Sequence, residues 1–211
     1  MGKAAKKKRQ QGLQSESLSN GKSLISSDIS SKWSLFNKPF VHFFLIAIVG
    51  FLVYSNTFNV PFHFDDAPNI VENYKLRDLS NFWPPSGLRW FGGLTFALNY
   101  YFGGLNVAGY HIVNLIIHIF NAILVYWLVI FTFRTPFFSY QQSEVSSQDN
   151  LKTYLPLFIA LLFVAHPIQT QAVTYIVQRF TSLATMLYLL SLVMYIKARL
   201  EVKAKVKFFS A

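Results

Sequence analysis

Asp65 and Asp66 are the residues whose type and placement most readily do chemistry. They lie in Phe64-Asp65-Asp66-Ala67-Pro68-Asn69, just past a long apolar run, in a chain with only 9 acidic residues. Adjacent carboxylates repel, so one member of such a pair holds its proton more tightly. A carboxylate tuned in this way is suited to act as a general base. The same residues also make good turn chemistry, because Asp side chains accept from nearby backbone N–H groups and proline fixes φ. A turn and a catalytic base are both open readings of this segment. Arg179 brings a guanidinium that matches phosphate oxygens bidentately, and it serves equally well as an anchor reaching to lipid headgroups. His166 and Gln169 add polar groups, although His166 also reads as a plain hydrogen-bonded histidine before a helix break. Two acids, a cation and polar side chains at one membrane face suit transfer from a lipid-linked phosphate donor. The base takes the proton of an acceptor hydroxyl, and the cation stabilises the departing lipid phosphate.

Composition makes the bilayer the solvent for much of this chain. Its 211 residues are 53% hydrophobic and 13% charged, against about 25% charged in soluble domains. The net charge of +10 does not point to nucleic acid, because the basic residues concentrate at the two ends beside apolar runs, where positive-inside topology puts them. With no cysteine in the chain, disulfides and thiolate metal sites are excluded. Residues 1–37 read as a basic, polar cytosolic tail, and residues 199–211 as a second one. Between them the apolar pattern predicts spans at about 39–58, 107–133, 154–166 and 180–196.

Four crossings would return both termini to the cytosol. The acidic loop 59–106 and the segment from Pro167 to Arg179 would then share the opposite face. Leu88 to Tyr101 is aromatic and bracketed by glycines, the pattern of an interfacial helix. Within the second span, His111, Asn114, His118 and Asn121 fall at spacings of three, four and three. Those spacings form one helical face, which must meet protein or a wet cavity rather than lipid. Interhelical hydrogen bonding is the expectation for it, ahead of a metal site. His166-Pro167 interrupts the third apolar run, so a broken or re-entrant element is expected there.

Four blocks, in order, resemble the N-terminal membrane region of the transmembrane and tetratricopeptide-repeat-containing O-mannosyltransferases and their bacterial relatives, within the GT-C glycosyltransferases. They are Phe64-Asp65-Asp66-Ala67-Pro68-Asn69-Ile70-Val71, Leu94-Thr95-Phe96-Ala97-Leu98-Asn99-Tyr100, Gly109-Tyr110-His111-Ile112-Val113-Asn114-Leu115, and His166-Pro167-Ile168-Gln169-Thr170-Gln171-Ala172-Val173-Thr174-Tyr175-Ile176. The chain departs from the pattern at Gln171, where members often carry glutamate, and at Trp90-Phe91, where arginine-proline is common. The resemblance implies an all-α integral membrane protein, a partial GT-C bundle of about four spans with a long, partly helical first loop. It implies a sugar, such as mannose, carried on a polyprenyl phosphate and passed to a hydroxyl acceptor, Ser or Thr of protein. Asp65 or Asp66 falls where the catalytic acid belongs, with Arg179, His166, Gln169 and Arg89 as candidate contacts to donor phosphate or substrate. No cofactor is firmly implied, and divalent-metal dependence is left open. Expected partners are membrane lipid, the lipid-linked sugar and a protein acceptor, in a bacterial inner membrane or an endoplasmic reticulum membrane. The family carries more spans and repeats, so the chain reads as a fragment, inactive alone, that needs a C-terminal half or a partner subunit. A non-catalytic assembly subunit, a degenerate transferase and a transporter subunit are the rival readings.

Overall fold

The computed structural model describes residues 38–141 and 149–209. The N-terminal tail expected at 1–37 and the middle of the connector after Phe133 lie outside the described residues. The chain divides into two units. The first, 1–43, is described only at the start of helix α1 (Pro39–Tyr54), and the second, 44–211, holds every other element. Those elements are α2 (Trp90–Gly103), α3 (Val107–Phe133), α4 (Pro136–Gln141), α5 (Asp149–Ala165), α6 (Thr170–Thr174) and α7 (Arg179–Phe209). Short π and 3-10 turns join them, and no β-strand occurs among the described residues.

Helix α3 is the more apolar of the two helices long enough to cross a membrane and matches the span expected at Val107–Phe133. Gly104 ends α2 in a left-handed conformation, φ 58°, that a side chain would disfavour. Asn106 then caps α3 by accepting a hydrogen bond from the Ala108 N–H. A second helix long and apolar enough to cross a membrane runs over Ile176–Val202, and α7 continues beyond it to Phe209. The third candidate is the bent pair Thr153–Ala165 and Pro167–Thr174, with 51° between its halves. Helix α1 has 16 residues, about 24 Å at 1.5 Å per residue, against a hydrocarbon core of about 30 Å. The apolar pattern suggested that this run continued to Phe58. Instead the helix ends at Tyr54, where Ser55 Oγ donates back to the Leu52 carbonyl and the Thr57 N–H closes a turn on the Tyr54 carbonyl. Length and composition therefore support two crossings, or three with the bent pair, where the sequence pattern led to four.

The expected break is present, and it is double. His166 is extended at φ −66°, ψ 128°, as the residue before a proline tends to be. Tyr175 is extended again at φ −88°, ψ 105°, between α6 and the 3-10 turn Ile176–Gln178. Each interruption frees carbonyls from helical bonding, and a bilayer supplies no water to satisfy them. The polar stripe of α3 takes over this task. Asn114 Nδ2 donates to the carbonyls of Val173 (3.4 Å) and Ile176 (3.2 Å). His118 Nε2 lies 3.2 Å from the Val164 carbonyl, while Asn121 Nδ2, 3.1 Å from the Ser182 carbonyl, meets the first turn of α7 rather than a break. His111 Nε2 reaches the Val60 carbonyl at 2.9 Å, which ties the start of the loop to the same helix. All four stripe residues are buried.

Arg179 is the hub of this arrangement. Its side chain is fully buried. Nε donates to Asn114 Oδ1 (2.7 Å), Nη1 to Asn99 Oδ1 (2.7 Å) and the Thr95 carbonyl (3.2 Å), and Nη2 to the Tyr110 carbonyl (2.9 Å). The guanidinium also lies over the Phe96 ring, 4.3 Å from its centre. None of its four oxygen partners is a carboxylate; neutral dipoles solvate the charge. The sequence left Arg179 open as a donor-phosphate contact or a headgroup anchor. In the folded chain its donors point inward and join α2, α3 and α7, so its place is architectural.

The loop between α1 and α2 folds onto this hub. Ile70, Leu76 and Phe82 from its short helical turns bury against Phe96, Ala97, Tyr110 and Ile176. Trp90 Nε1 pins the loop by donating to the Phe82 carbonyl at 2.6 Å. The interfacial helix expected at Leu88–Tyr101 is α2, Trp90–Gly103. Asn114→Leu removes the acceptor for Arg179 Nε, a donor to the freed Val173 carbonyl and a second donor to the Ile176 carbonyl, which also accepts from the Arg179 N–H. A loss of about 3 kcal/mol is expected, from unsatisfied buried groups costing about 1–3 kcal/mol each. Thermal unfolding of the protein in lipid nanodiscs checks this, and an unchanged midpoint contradicts it.

Candidate active site

The two aspartates have different surroundings although they are neighbours in sequence. Asp66 is fully buried. Its Oδ1 accepts from the Val177 N–H at 2.7 Å and its Oδ2 from the His63 N–H at 3.0 Å. Both oxygens thus hold backbone, one within the loop and one in the segment leading into α7. Asp65 is exposed. Its backbone N–H donates to Tyr175 Oη at 3.2 Å.

Local backbone geometry produces this separation. Phe64 sits at φ 46°, a left-handed value that costs a non-glycine residue of order 1–3 kcal/mol. The turn is closed by the Asp66 N–H on the His63 carbonyl and the Ala67 N–H on the Phe64 carbonyl. Asn69 Nδ2 donates to the Asp65 carbonyl at 2.8 Å and braces the far side. Asp66 does the work of the turn, and Asp65 keeps a carboxylate at the surface.

Tyr175 stands beside this carboxylate. Desolvation of its hydroxyl raises its pKa above the ordinary tyrosine value, against the lowering effect of the Asp65 N–H that it accepts, and the nearby Asp65 and Asp66 carboxylates add to the rise. It stays protonated at physiological pH, and its oxygen holds the Asp65 backbone. Nothing in the sequence singled out Tyr175; a phenol next to a helix break has no spacing signature.

Arg89 is the exposed cation of the site. Its guanidinium lies over the Phe180 ring, 5.4 Å from the centre. It lines a cavity of about 420 Å³ whose other walls include Phe91, Phe180, Leu183, Ala184 and Leu187. A cation at the edge of an apolar groove suits a ligand with an anionic head and a hydrocarbon body. Gly92 lets α2 approach closely here, because a Cβ on it would overlap the Phe180 ring.

His166 is exposed, and its Nδ1 accepts from the Ile168 N–H at 3.2 Å, capping the turn Pro167–Gln169. Gln169 is half-buried and faces a separate polar cavity with Gln171 and Gln178. The fold thus brings Asp65, Asp66 and Arg89 onto the segment Tyr175–Phe180, while His166 and Gln169 sit at the other end of α6. Among the described residues no three His, Asp or Glu side chains converge in a way that could hold a metal ion.

Comparison with curated proteins gives a consistent set of relatives. The chain is 30% identical over 177 residues to human protein O-mannosyl-transferase TMTC4, which covers 76% of this chain and 23% of that protein. It is 31% identical over 165 residues to human TMTC2, covering 71% of this chain and 18% of the relative. The Drosophila melanogaster protein O-mannosyl-transferase Tmtc3 is 27% identical over 179 residues, 75% of this chain and 19% of its own length. The chain thus spans about a quarter or less of the length of these relatives. No family model and no solved structure matches. Over about three quarters of its length, this chain is a member of the TMTC group of protein O-mannosyl-transferases.

Proposed function

We propose that this region forms the acceptor-activating and phosphate-facing part of a membrane O-mannosyltransferase. It transfers mannose from a polyprenyl phosphate to a Ser or Thr hydroxyl of a protein. The observation that carries the reading is the exposed Asp65 carboxylate, held out of a strained turn beside a segment that also supports the Arg89 cation. The names of the relatives supply the sugar and the protein acceptor.

In this reading Asp65 takes the proton of the acceptor hydroxyl, and the hydroxyl oxygen attacks the sugar's anomeric carbon. The bond from that carbon to the phosphate oxygen breaks, and the electron pair leaves with the lipid phosphate. Arg89 stabilises the charge that develops on the phosphate, and the apolar wall of its groove takes the adjoining lipid chain. Tyr175 Oη holds the Asp65 backbone N–H and so positions the residue. Asp66 and Arg179 hold the loop and the helix ends in register without touching substrate. The lower dielectric near the membrane strengthens each of these charge interactions relative to water.

The two aspartates provide the test. In membranes carrying the natural gene product and a polyprenyl-phosphate mannose donor, Asp65→Asn lowers turnover by about 10²–10⁴, the range for loss of a general base. Its thermal unfolding stays near that of the wild type. Asp66→Asn turns one backbone-accepting oxygen into an NH₂ group that meets an N–H, so it costs about 1–3 kcal/mol of stability. Full turnover in Asp65→Asn at equal protein level overturns the assignment. A separate binding measurement addresses the phosphate. Arg89→Glu weakens retention of radiolabelled polyprenyl-phosphate mannose by at least about tenfold, equivalent to about 1.4 kcal/mol. Retention equal to that of the wild type removes Arg89 from the site.

A further inference from the structure

Phe64 occupies the left-handed position of the turn that separates the two aspartates, at φ 46°, and it is 89% exposed. A bulky side chain at positive φ is an outlier, whereas glycine adopts the same backbone without strain. An exposed phenylalanine taken singly needs no explanation, because protein surfaces carry many. This one is exposed on a backbone that penalises its own side chain. Strain of that kind gathers at ligand clamps and active sites.

The ring also stands in polar company. Its chain neighbours His63 and Asp65 are both exposed. A carboxylate is costly against hydrocarbon, so this face of the loop meets water or headgroups rather than lipid tails. The Phe64 ring packs on the Tyr175 ring, with 6.5 Å between centres and 81° between planes. Tyr175 is half-buried, and its Oη is tied to the Asp65 N–H at 3.2 Å. An edge-to-face pair leaves a ring face open, and this corner adjoins the residue proposed as the base.

Position along the chain decides what the corner meets. Asp65 must reach the acceptor hydroxyl, whereas the donor phosphate lies with Arg89. Phe64 is the residue next to Asp65, so it stands on the acceptor's side of the reaction. The acceptor is a length of polypeptide. In an extended chain, side chains alternate between faces, so residues two positions from the Ser or Thr share its face at about 7 Å. An apolar side chain there meets the two rings while the hydroxyl meets Asp65, and burying it against them supplies binding energy.

We infer that Phe64 and Tyr175 form an apolar corner that selects acceptors carrying an apolar side chain two residues from the Ser or Thr. The inference rests on the mannosyl-transfer reading for the hydroxyl at Asp65, and it adds a sequence preference to that reading. The probes are two fluorescein-labelled Ser peptides, identical except for Leu or Asn two positions to either side of the serine. Their binding to the natural gene product in phosphatidylcholine nanodiscs is read by anisotropy, with no sugar donor present. The wild type is expected to hold the Leu peptide at least about tenfold more tightly. In Phe64→Gly the ratio of the two affinities falls close to one, while the unfolding midpoint is not lowered, because glycine accepts the left-handed turn. Phe64→Trp, which restores a ring, keeps the preference. If Phe64→Gly does not fold, Phe64→Asn decides, since asparagine tolerates the same backbone. No preference in the wild type, or a preference kept by the deciding variant, overturns the inference and leaves Phe64 to the lipid headgroups. No transfer is measured, so that failure leaves the Asp65 assignment standing. Full turnover in Asp65→Asn removes the base without altering the affinity ratio.

Discussion

A single buried guanidinium sets the constraints that the rest of this chain obeys. Arg179 lies where the backbone has just left one broken helix and is about to begin another. Burying such a charge costs several kcal/mol unless dipoles replace its water. Asn114, Asn99 and the carbonyls of Thr95 and Tyr110 do so from two other helices. Asn114 then uses its own NH₂ group on the Val173 carbonyl that the break sets free and on the Ile176 carbonyl, which the Arg179 N–H also reaches. One amide therefore serves both the charge and the interrupted backbone. The loop between α1 and α2 can fold only onto the surface that these bonds create, because Ile70, Leu76 and Phe82 pack against Phe96, Tyr110 and Ile176.

The division of labour between the aspartates follows from that surface. Asp66 docks the loop by accepting from the Val177 N–H, two residues before Arg179. Once that carboxylate is spent on backbone, Asp65 must project away from it, and the left-handed Phe64 absorbs the backbone strain. Arg89 reaches the same segment from α2 by stacking on Phe180. Acid and exposed cation are thus carried by different elements and brought to one short stretch of chain. A base for an acceptor hydroxyl and a cation for a leaving phosphate need that kind of juxtaposition.

Much of this was legible in the sequence, for physical reasons that differ by residue. The extent of α3 and the role of its polar face were readable, because His111, Asn114, His118 and Asn121 recur at helical spacing in an otherwise apolar run. The break at Pro167 was readable from proline's missing donor. The bond set of Arg179 was not, since whether a guanidinium faces phosphate or protein depends on acceptors distant in sequence, Thr95 to Asn114. Neither was the difference in burial between Asp65 and Asp66, which follows a left-handed Phe64. The length of α1 was overread because apolar residues continue past the turn that ends it.

The most direct test of the account is chemical accessibility at the two outward-facing groups, made simple by the absence of native cysteine. Asp65→Cys and Arg89→Cys, each as a single substitution, are exposed in sealed vesicles to a membrane-impermeant maleimide. Both are expected to react, and from the same side of the bilayer, since both positions are exposed and anchored to the Tyr175–Phe180 segment. Labelling from opposite sides, or protection of either position, contradicts the proposed site at its foundation.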